Sequence, residues 1–474
     1  MKTMESQVLA GHWWLPGEGD VAQPGRLVIS PLGDLQLELI GGFDLTIRTP
    51  IDGGGYSVGV NQKGTPVILG RVDGTKLITL TNCFTTRSTS HSFFGDGRPT
   101  SHQIYAQQAL IGIHLNTPDD AVWTSAFVRL ENFSSWLSTG AMSHTLVRED
   151  AAEARITKVP SETVDVGGWK YSAVAHPRDF KFMATRDELS LKGDLTASFQ
   201  IEPPQAVSVA GFDNATSAIV DLMTLAAGQP CGVISTVLIH EQPVVQPTGP
   251  EQNIIYPREV KLIRRHVHAA DPTAPAVATR DFRFTCADQP FSAIVSKWLP
   301  LHFRARAGTG AYFGTAYSPP GFTETRLLTL AVAAEALSRG LRANSDAQAP
   351  FTPKEFKIFR DQVLGSIDDA ARRNWVKERL RFSIEPSFKQ RMLGLVSIPS
   401  SGAIAALLSD PDAWARDVTA ARNGIAHTGG SSSDDQAFEL ARVTDVVLAI
   451  VLIAELGMPS SVQESAASKH AWRY

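Results

Sequence analysis

The apolar pattern of this 474-residue chain changes period once, close to residue 290, and that change constrains the fold more than any single motif. Up to about residue 285 the pattern alternates with the period of a strand. "GRLVISPLGDLQLELIGG" reads as two strands around Pro31-Leu32-Gly33-Asp34, a hairpin signal. "YSVGVNQKGTPVILGRVDGTKLITL" repeats the pattern, and "AVSVAG" and "GVISTVLIH" add further strands. "AVWTSAFVRLENFSSWL" offers Trp123, Phe127, Leu130 and Trp136 to a core. One helix is expected in this part, "NATSAIVDLMTLAAG", with Asn214 as its cap and Gly228 as its stop. The proline-rich passages "EQPVVQPTGPEQNIIYP" and "AADPTAPAVATR" read as irregular.

From Phe291 the spacing becomes helical. "FTETRLLTLAVAAEALSRGL", "TPKEFKIFRDQVLGSI", "ARRNWVKERLRFSI", "DPDAWARDVTAARNGIAH" and "DDQAFELARVTDVVLAIVLIAEL" are each helix candidates. "VVLAIVLIAEL" is too short to cross a membrane and reads as a buried helix, while the small, polar tail after Gly457 reads as frayed. The chain is also too long for one ordinary core. The expected fold class is α+β: an N-terminal, mainly antiparallel β domain over 1–287 and a C-terminal all-α helical bundle over 288–474.

Charge and cysteines narrow the partners. The net charge of -4 gives the whole chain no reason to coat nucleic acid. From Phe291 onward, however, 21 Lys+Arg face 18 Asp+Glu, so a nucleic-acid partner should meet the C-terminal part. Cys83, Cys231 and Cys286 are odd in number, far apart and without zinc spacing, so reduced, buried thiols in the cytosol are expected. "MKTMESQVLAGHWW" lacks the basic-then-apolar pattern of a signal peptide, which also points to the cytoplasm.

The segment "DPDAWARDVTAARNGIAHTG" carries the chemistry. Asp410 can cap, Pro411 suits the first helical position, and Thr428-Gly429-Gly430 supplies the stop. Trp414, Val418, Ala421 and Ile425 form one apolar stripe. Arg422 falls on the flank of that stripe. Asn423 and His427, four apart, share the polar side. Roughly 7.5 Å of rise separates Arg422 from His427, a gap that suits a phosphodiester better than a direct contact. The last helical turn favours a protonated histidine. An arginine and a histidine on the polar side of a helix are nevertheless most often solvated surface, and geometry alone favours that ordinary reading.

"RNGIAH" resembles the Arg-x4-6-His motif of the HEPN superfamily, including its frequent Asn after Arg. "WARDVTAA" before it and the acidic-then-apolar "DDQAFELARVTDVVLAIVLIAELG" after it are similar to that superfamily too. "FTETRLLTLAVAAEALSRGL" resembles its first long helix, with Glu335 at the place of an inward acidic residue. With "GHWWLPGEGDVAQPGRLVISPLGDLQLELIGG" at the start, the chain resembles ApeA-type antiphage (abortive infection) proteins. The resemblance implies a metal-independent RNase needing no cofactor, in which two HEPN domains pair as a homodimer and their motifs face one cleft. It implies His427 as general acid or base, Arg422 as phosphate clamp, Asn423 as orienting group and Glu335 as supporting acid. The small Thr419 and Ala426 beside the motif suit close approach of a partner helix. Families silenced by tyrosine AMPylation carry a Tyr two residues after the motif His; here Gly429 stands there, which argues against that control.

"ARRNWVKERLRF" brings Arg372, Arg373, Lys377, Arg379 and Arg381 together with Trp375 and Phe382. That mixture suits single-stranded RNA, with tRNA anticodon-type loops as an exposed target class, although a solvated face with the aromatics in the core has the same pattern. A second function class stays open: a non-catalytic HEPN module that dimerises or binds nucleotide, beside a ligand-sensing β domain. Three weaker signals carry no function. "GYSVG" around Ser57 sits in a strand pattern without the following helix of a hydrolase elbow. "GTGAYFG" at Gly308–Gly314 has one residue too many for a dinucleotide loop. His266 and His268 lack a third metal ligand nearby.

Overall fold

The computed structural model describes residues 6–43, 46–51, 55–60, 64–89, 99–138, 142–148, 151–156, 161–184, 189–247, 253–271, 274–319, 321–341, 352–381, 385–428 and 434–469. The chain divides into two compact units. One comprises Met1–Ser134, Thr139–Met223 and Cys231–Ala276; the other comprises Ser135–Ser138, Thr224–Pro230 and Val277–Tyr474.

The first unit is built on β1 (Gln7–Trp14), β2 (Gln23–Ile29), β3 (Leu35–Ile40), β4 (Thr46–Ile51), β5 (Gly55–Val60), β6 (Thr65–Val72), β7 (Lys76–Thr89) and β8 (Ser101–Ile111). It continues through β9 (Trp123–Leu130), β10 (Met142–Arg148), β11 (Ala151–Ile156), β12 (Glu162–Val166), β13 (Trp169–Ala184), β14 (Leu189–Glu202), β15 (Val233–Pro247) and β16 (Asn253–Arg264). Two helices interrupt the strands, α1 (Phe133–Leu137) and α2 (Asp213–Ala227). The strands β8-β3-β2-β1-β6-β7 run in that order, and β7 pairs back onto β8, which closes a six-stranded antiparallel barrel. Closure leaves these strands no free edge. Alternate residues point inward, so Leu9 and Trp13 of β1, Leu27 and Ile29 of β2, and Leu35 and Leu37 of β3 fill the core. β8 outlasts β3 and pairs with β16 through its last residues, leading into the sheet β16-β15-β9-β14-β13-β12.

The hairpin around Pro31-Leu32-Gly33-Asp34 forms as expected, with Gly33 at φ +86° and the Ser30 amide donating to the Asp34 carbonyl at 2.9 Å. Trp123, Leu130 and Trp136 are buried, whereas Phe127 is half-buried and its neighbour Val128 takes the core position. Two further expectations fail in this unit. Asn214 does not cap α2, which begins one residue earlier at Asp213, directly after a short 3-10 turn. The proline-rich "EQPVVQPTGPEQNIIYP" is not irregular in its described residues: Val244–Pro247 of β15 pair with Asn253–Tyr256 of β16. The pairing of β15 with β9 ends at His240, so Pro243 and Pro247 lie where an outer ladder no longer needs their N–H groups.

The second unit is helical: α3 (Phe291–Arg304), α4 (Arg306–Tyr317), α5 (Thr323–Gly340), α6 (Pro353–Gly365), α7 (Ala370–Leu380), α8 (Phe388–Val396), α9 (Ser401–Leu407), α10 (Pro411–Thr428), α11 (Asp434–Glu455) and α12 (Ser460–Ser468). Its centre is α11, where Val447 to Ile453 are all buried, which is why that apolar run needs no membrane. None of the described helices is long and apolar enough to cross one. Gly308 lets α4 approach α5 closely: a Cβ there would stand 2.6 Å from the Leu337 amide nitrogen. Trp136, Phe284 and Phe291 form another buried cluster of this unit. Of the tail after Gly457, the described residues 458–469 are not frayed. Its α12 buries Ala466 and Ala467, and Gln463 accepts from the Ser400 amide at 2.8 Å while donating to the Met458 carbonyl at 2.8 Å. Cys83, Cys231 and Cys286 are free thiols, the first two buried and the third half-buried.

Candidate active site

Helix α10 starts at its expected cap. The Asp410 carboxylate accepts from the amides of Asp412 (2.9 Å) and Ala413 (3.1 Å), and Pro411 occupies the first turn. Trp414, Val418 and Ala421 are buried and Ile425 is half-buried. The Trp414 indole also donates to the Thr444 hydroxyl of α11 at 3.2 Å. Packing on this stripe fixes the rotation of α10 about its axis, and with it the direction in which the motif's polar residues point.

Arg422 is turned toward α5 and α8. Its Nη2 donates to Glu335 Oε2 at 3.4 Å and its Nη1 to Asn423 Oδ1 at 3.3 Å. Its guanidinium carbon lies 5.1 Å from the centre of the Phe388 ring, a cation–π distance. The other carboxylate oxygen of Glu335 accepts from Arg339 at 3.1 Å. Arg339 also reaches Glu385 at 3.2 Å, and Glu385 accepts from the buried Arg391 at 3.0 Å. The hydrogen bond to Glu335, with the Glu385 charge nearby, holds the Arg339 guanidinium above its ordinary pKa. Three guanidiniums and two carboxylates thus form one network, with one positive charge in excess. The side chains of Arg422 and Glu335 are 37% and 28% exposed. Their ion pair is therefore a weak one, of up to about 1 kcal/mol, that an incoming anion can rearrange.

Arg422 and the adjacent Asn423 are brought together here with Glu335, 87 positions earlier in the chain. His427 belongs to the last turn of the same helix, but its side chain and that of Ala426 lie outside the described residues. Thr419, half-buried, turns its hydroxyl back to the Ala415 carbonyl at 2.6 Å. The basic residues Arg372, Arg373, Lys377 and Arg379 lie on another element, α7, and are all exposed. Arg373 serves the turn before its helix, donating to the Ile367 carbonyl at 2.6 and 2.9 Å and to Asp368 at 3.2 Å. Trp375 is not in the core: it is 63% exposed, with Arg379 stacked 5.3 Å from its ring centre. Phe382 lies outside the described residues.

Phe388, Arg339, Glu385 and Arg391 escaped the reading of the sequence. A signal for the element that carries two of them was present: Ser387 and Gln390 form a capping box at the start of α8, and Phe388 is the first residue of that helix. The weaker signals carry no site in the folded chain either. Gly55–Val60 is a strand of a hairpin, and Gly308–Gly314 lies within helix α4. Among the described residues no group of three or more His, Cys, Asp and Glu could hold a metal. Burial pushes His266 down to about 4, with Arg264 adding to the fall.

No curated protein and no solved structure matches the chain. Two family models do: ApeA N-terminal domain 1 over residues 9–298 and Apea-like HEPN over residues 328–462. The second contains the whole Glu335–Phe388–Arg422 cluster and the histidine that follows it. The chain belongs to the ApeA family of antiphage proteins, and its C-terminal part is their HEPN domain.

Proposed function

We propose that this protein is a metal-independent RNA endonuclease of antiphage defence, acting in the cytoplasm as a dimer of HEPN domains. The observation that carries the reading is the placement of Arg422. Its helix is rotated by the buried Trp414 stripe so that the guanidinium sits on Phe388, beside Glu335, within a network one positive charge in excess. A phosphodiester carries one negative charge and would balance that excess. HEPN domains are generally RNases, which supports the same chemistry.

In the proposed reaction the ribose 2′-OH loses its proton to a base as its oxygen attacks the adjacent phosphorus. The P–O5′ bond breaks, and the departing 5′ oxygen takes up a proton. The products are a 2′,3′-cyclic phosphate and a 5′-OH end. His427 supplies the general acid or base, since a histidine exchanges protons near neutral pH. Arg422 donates to the phosphoryl oxygens as charge builds on them. Asn423 orients the arginine or the phosphate, and Glu335 keeps Arg422 from folding onto solvent. Arg372, Lys377 and Arg379, with the exposed Trp375, guide single-stranded RNA such as an anticodon-type loop. Arg373 contributes charge while bracing the turn. The labour is divided between a sensor over 1–287, which gates the enzyme in response to a phage-derived trigger, and the nuclease over 288–474.

The test is the chemistry of the ends. RNA incubated with the full-length protein in EDTA should acquire 2′,3′-cyclic phosphate termini, and a substrate with 2′-deoxyribose at the scissile position should stay whole. Cleavage of the deoxy-substituted position, or cleavage that EDTA abolishes, overturns the mechanism.

A further inference from the structure

The network around Arg422 contains one charge that the packing of the helices does not call for. Arg391 of α8 is 5% exposed, whereas the other four members, Glu385, Arg339, Glu335 and Arg422, are 28–52% exposed. Among the described residues its guanidinium meets one side chain, the Glu385 carboxylate at 3.0 Å. The lost hydration of a buried cation is poorly offset by a single carboxylate that is itself in contact with water. A methionine of similar length would fill the same place without that penalty, so stability alone gives no reason for an arginine here.

What Arg391 supplies is a fixed end. Helix α8 is pinned by the buried Met392 and Leu395 and by the Ser387–Gln390 capping box. Phe388 and Arg391, three apart, lie on one side of it. The same helix therefore carries the platform under the Arg422 guanidinium and the buried charge at the far end of the network. From Arg391 the contacts run outward through Glu385 (3.0 Å), Arg339 (3.2 Å), Glu335 (3.1 Å) and Arg422 (3.4 Å). Arg391 and Arg339 share one carboxylate oxygen, Oε2 of Glu385. The last link is the longest and is partly exposed, so it gives way first when an inner link is lost.

We propose that Arg391 is a positioning residue for Arg422, the buried anchor of a brace that runs from α8 through Glu385, Arg339 and Glu335. It touches neither RNA nor the reacting atoms. Its charge holds Glu385, Glu385 holds Arg339, and Arg339 occupies one oxygen of Glu335 so that the other faces Arg422. Without Arg391, Glu385 turns to solvent, Arg339 draws Glu335 toward itself, and Arg422 loses its aim. The kinetic part of the inference rests on the nuclease reading and extends it from the motif helix to α8.

Two variants of opposite charge give the test, in the full-length protein with single-stranded RNA as substrate. Arg391→Met takes one positive charge from the network, and Glu385→Gln takes one negative charge. A brace predicts the same result from both: kcat lower by about tenfold, with KM within about threefold of the wild type. A charge that acts only through its field predicts opposite signs, since Glu385→Gln would leave the cluster more attractive to phosphate. An arginine that only packs predicts lower stability and unchanged kcat, whereas here the melting temperature of Arg391→Met should stay level or rise. Should Glu385→Gln fail to fold, Arg391→Lys takes its place. It keeps the charge but not the planar fork, so a field role predicts full activity where the brace predicts a loss of about threefold or more. A second readout needs no cleavage. The Arg422 Nε–Hε signal, identified by its absence in Arg422→Ala, should be ordered in the wild type and fall to an order parameter below about 0.6 in both variants. A wild type that cuts no RNA while both variants loosen Arg422 contradicts the nuclease reading and supports the brace. Rates moving in opposite directions, Arg422 order unchanged in both variants, or a melting temperature of Arg391→Met lower by more than about 5 °C would each overturn the proposal.

Discussion

Glu335 on α5 and Arg422 on α10, 87 positions apart in the chain, meet at 3.4 Å between carboxylate and guanidinium. The carboxylate divides its two oxygens between Arg422 and Arg339, so it aims one arginine and is itself held by another. The pair is partly exposed, and its value lies in orientation more than in stability. Glu335→Gln should therefore change the melting temperature by no more than about 2 °C, yet slow RNA cleavage by about tenfold or more. Cleavage rates and thermal melts of the same preparations check both parts.

Phe388 gives the Arg422 guanidinium its platform. Phe388→Leu keeps an apolar side chain but removes the ring face, worth about 0.5–1 kcal/mol at a partly exposed site. Single-turnover cleavage should fall by about two- to fivefold, and Phe388→Trp should restore it. An equal loss in both variants would assign Phe388 to packing alone.

Trp414 holds the motif helix in rotation and is fully buried. Trp414→Ala should cost about 3–5 kcal/mol, through lost burial, a cavity and the unpaired Thr444 hydroxyl. Arg422→Ala, by contrast, should leave denaturant unfolding within about 1 kcal/mol of the wild type. Chemical denaturation of the two variants separates the scaffold of the site from its chemistry.

On α7 the arginines divide by role. Arg379→Gln and Trp375→Ala should weaken RNA binding, and loss of the Arg379 charge should also flatten its salt dependence by about one phosphate contact. Arg373→Gln should instead loosen the turn that its guanidinium ties to Ile367, seen as faster amide exchange there. Filter binding across a salt series, with hydrogen exchange, distinguishes the two.

His266 makes the β-rich unit sensitive to acid. Its ordinary pKa of 6.5 falls to about 4 through burial and the Arg264 charge, opposed by Asp213. The unfolded chain thus takes up this proton first as the pH falls. The contribution to stability is intact above 6.5 and is lost progressively toward 4, up to about 3 kcal/mol in total. Between pH 6.5 and 4 the melting temperature of the wild type should fall more steeply than that of His266→Gln; parallel curves would contradict the assignment.

The sequence showed these features unevenly, for physical reasons. The α10 cap, its apolar stripe and the buried run of α11 were legible because each depends on residues close together in the chain. The barrel strands were legible as alternation, but not its closure, since the pairing of Cys83 with Ala106 leaves no local signature. The proline-rich β15–β16 ribbon was misread because proline opposes a strand only where a ladder needs its N–H. Gln463 and its neighbours looked frayed because their partners, Ser400 and Met458, were invisible until the chain folded. Arg422 and Glu335 were legible through family resemblance. Arg339 reaches the site through a local spacing, four residues after Glu335 on α5, whereas Phe388, Glu385 and Arg391 reach it through tertiary packing.

The most direct test of the central claim uses RNA from bacterial cells that express the full-length protein and are challenged with phage. New RNA fragments with 2′,3′-cyclic phosphate ends should appear with the wild type and vanish with Arg422→Ala and with His427→Ala, both folded and equally abundant. The same fragments persisting in either variant would contradict the assignment of the nuclease to this site.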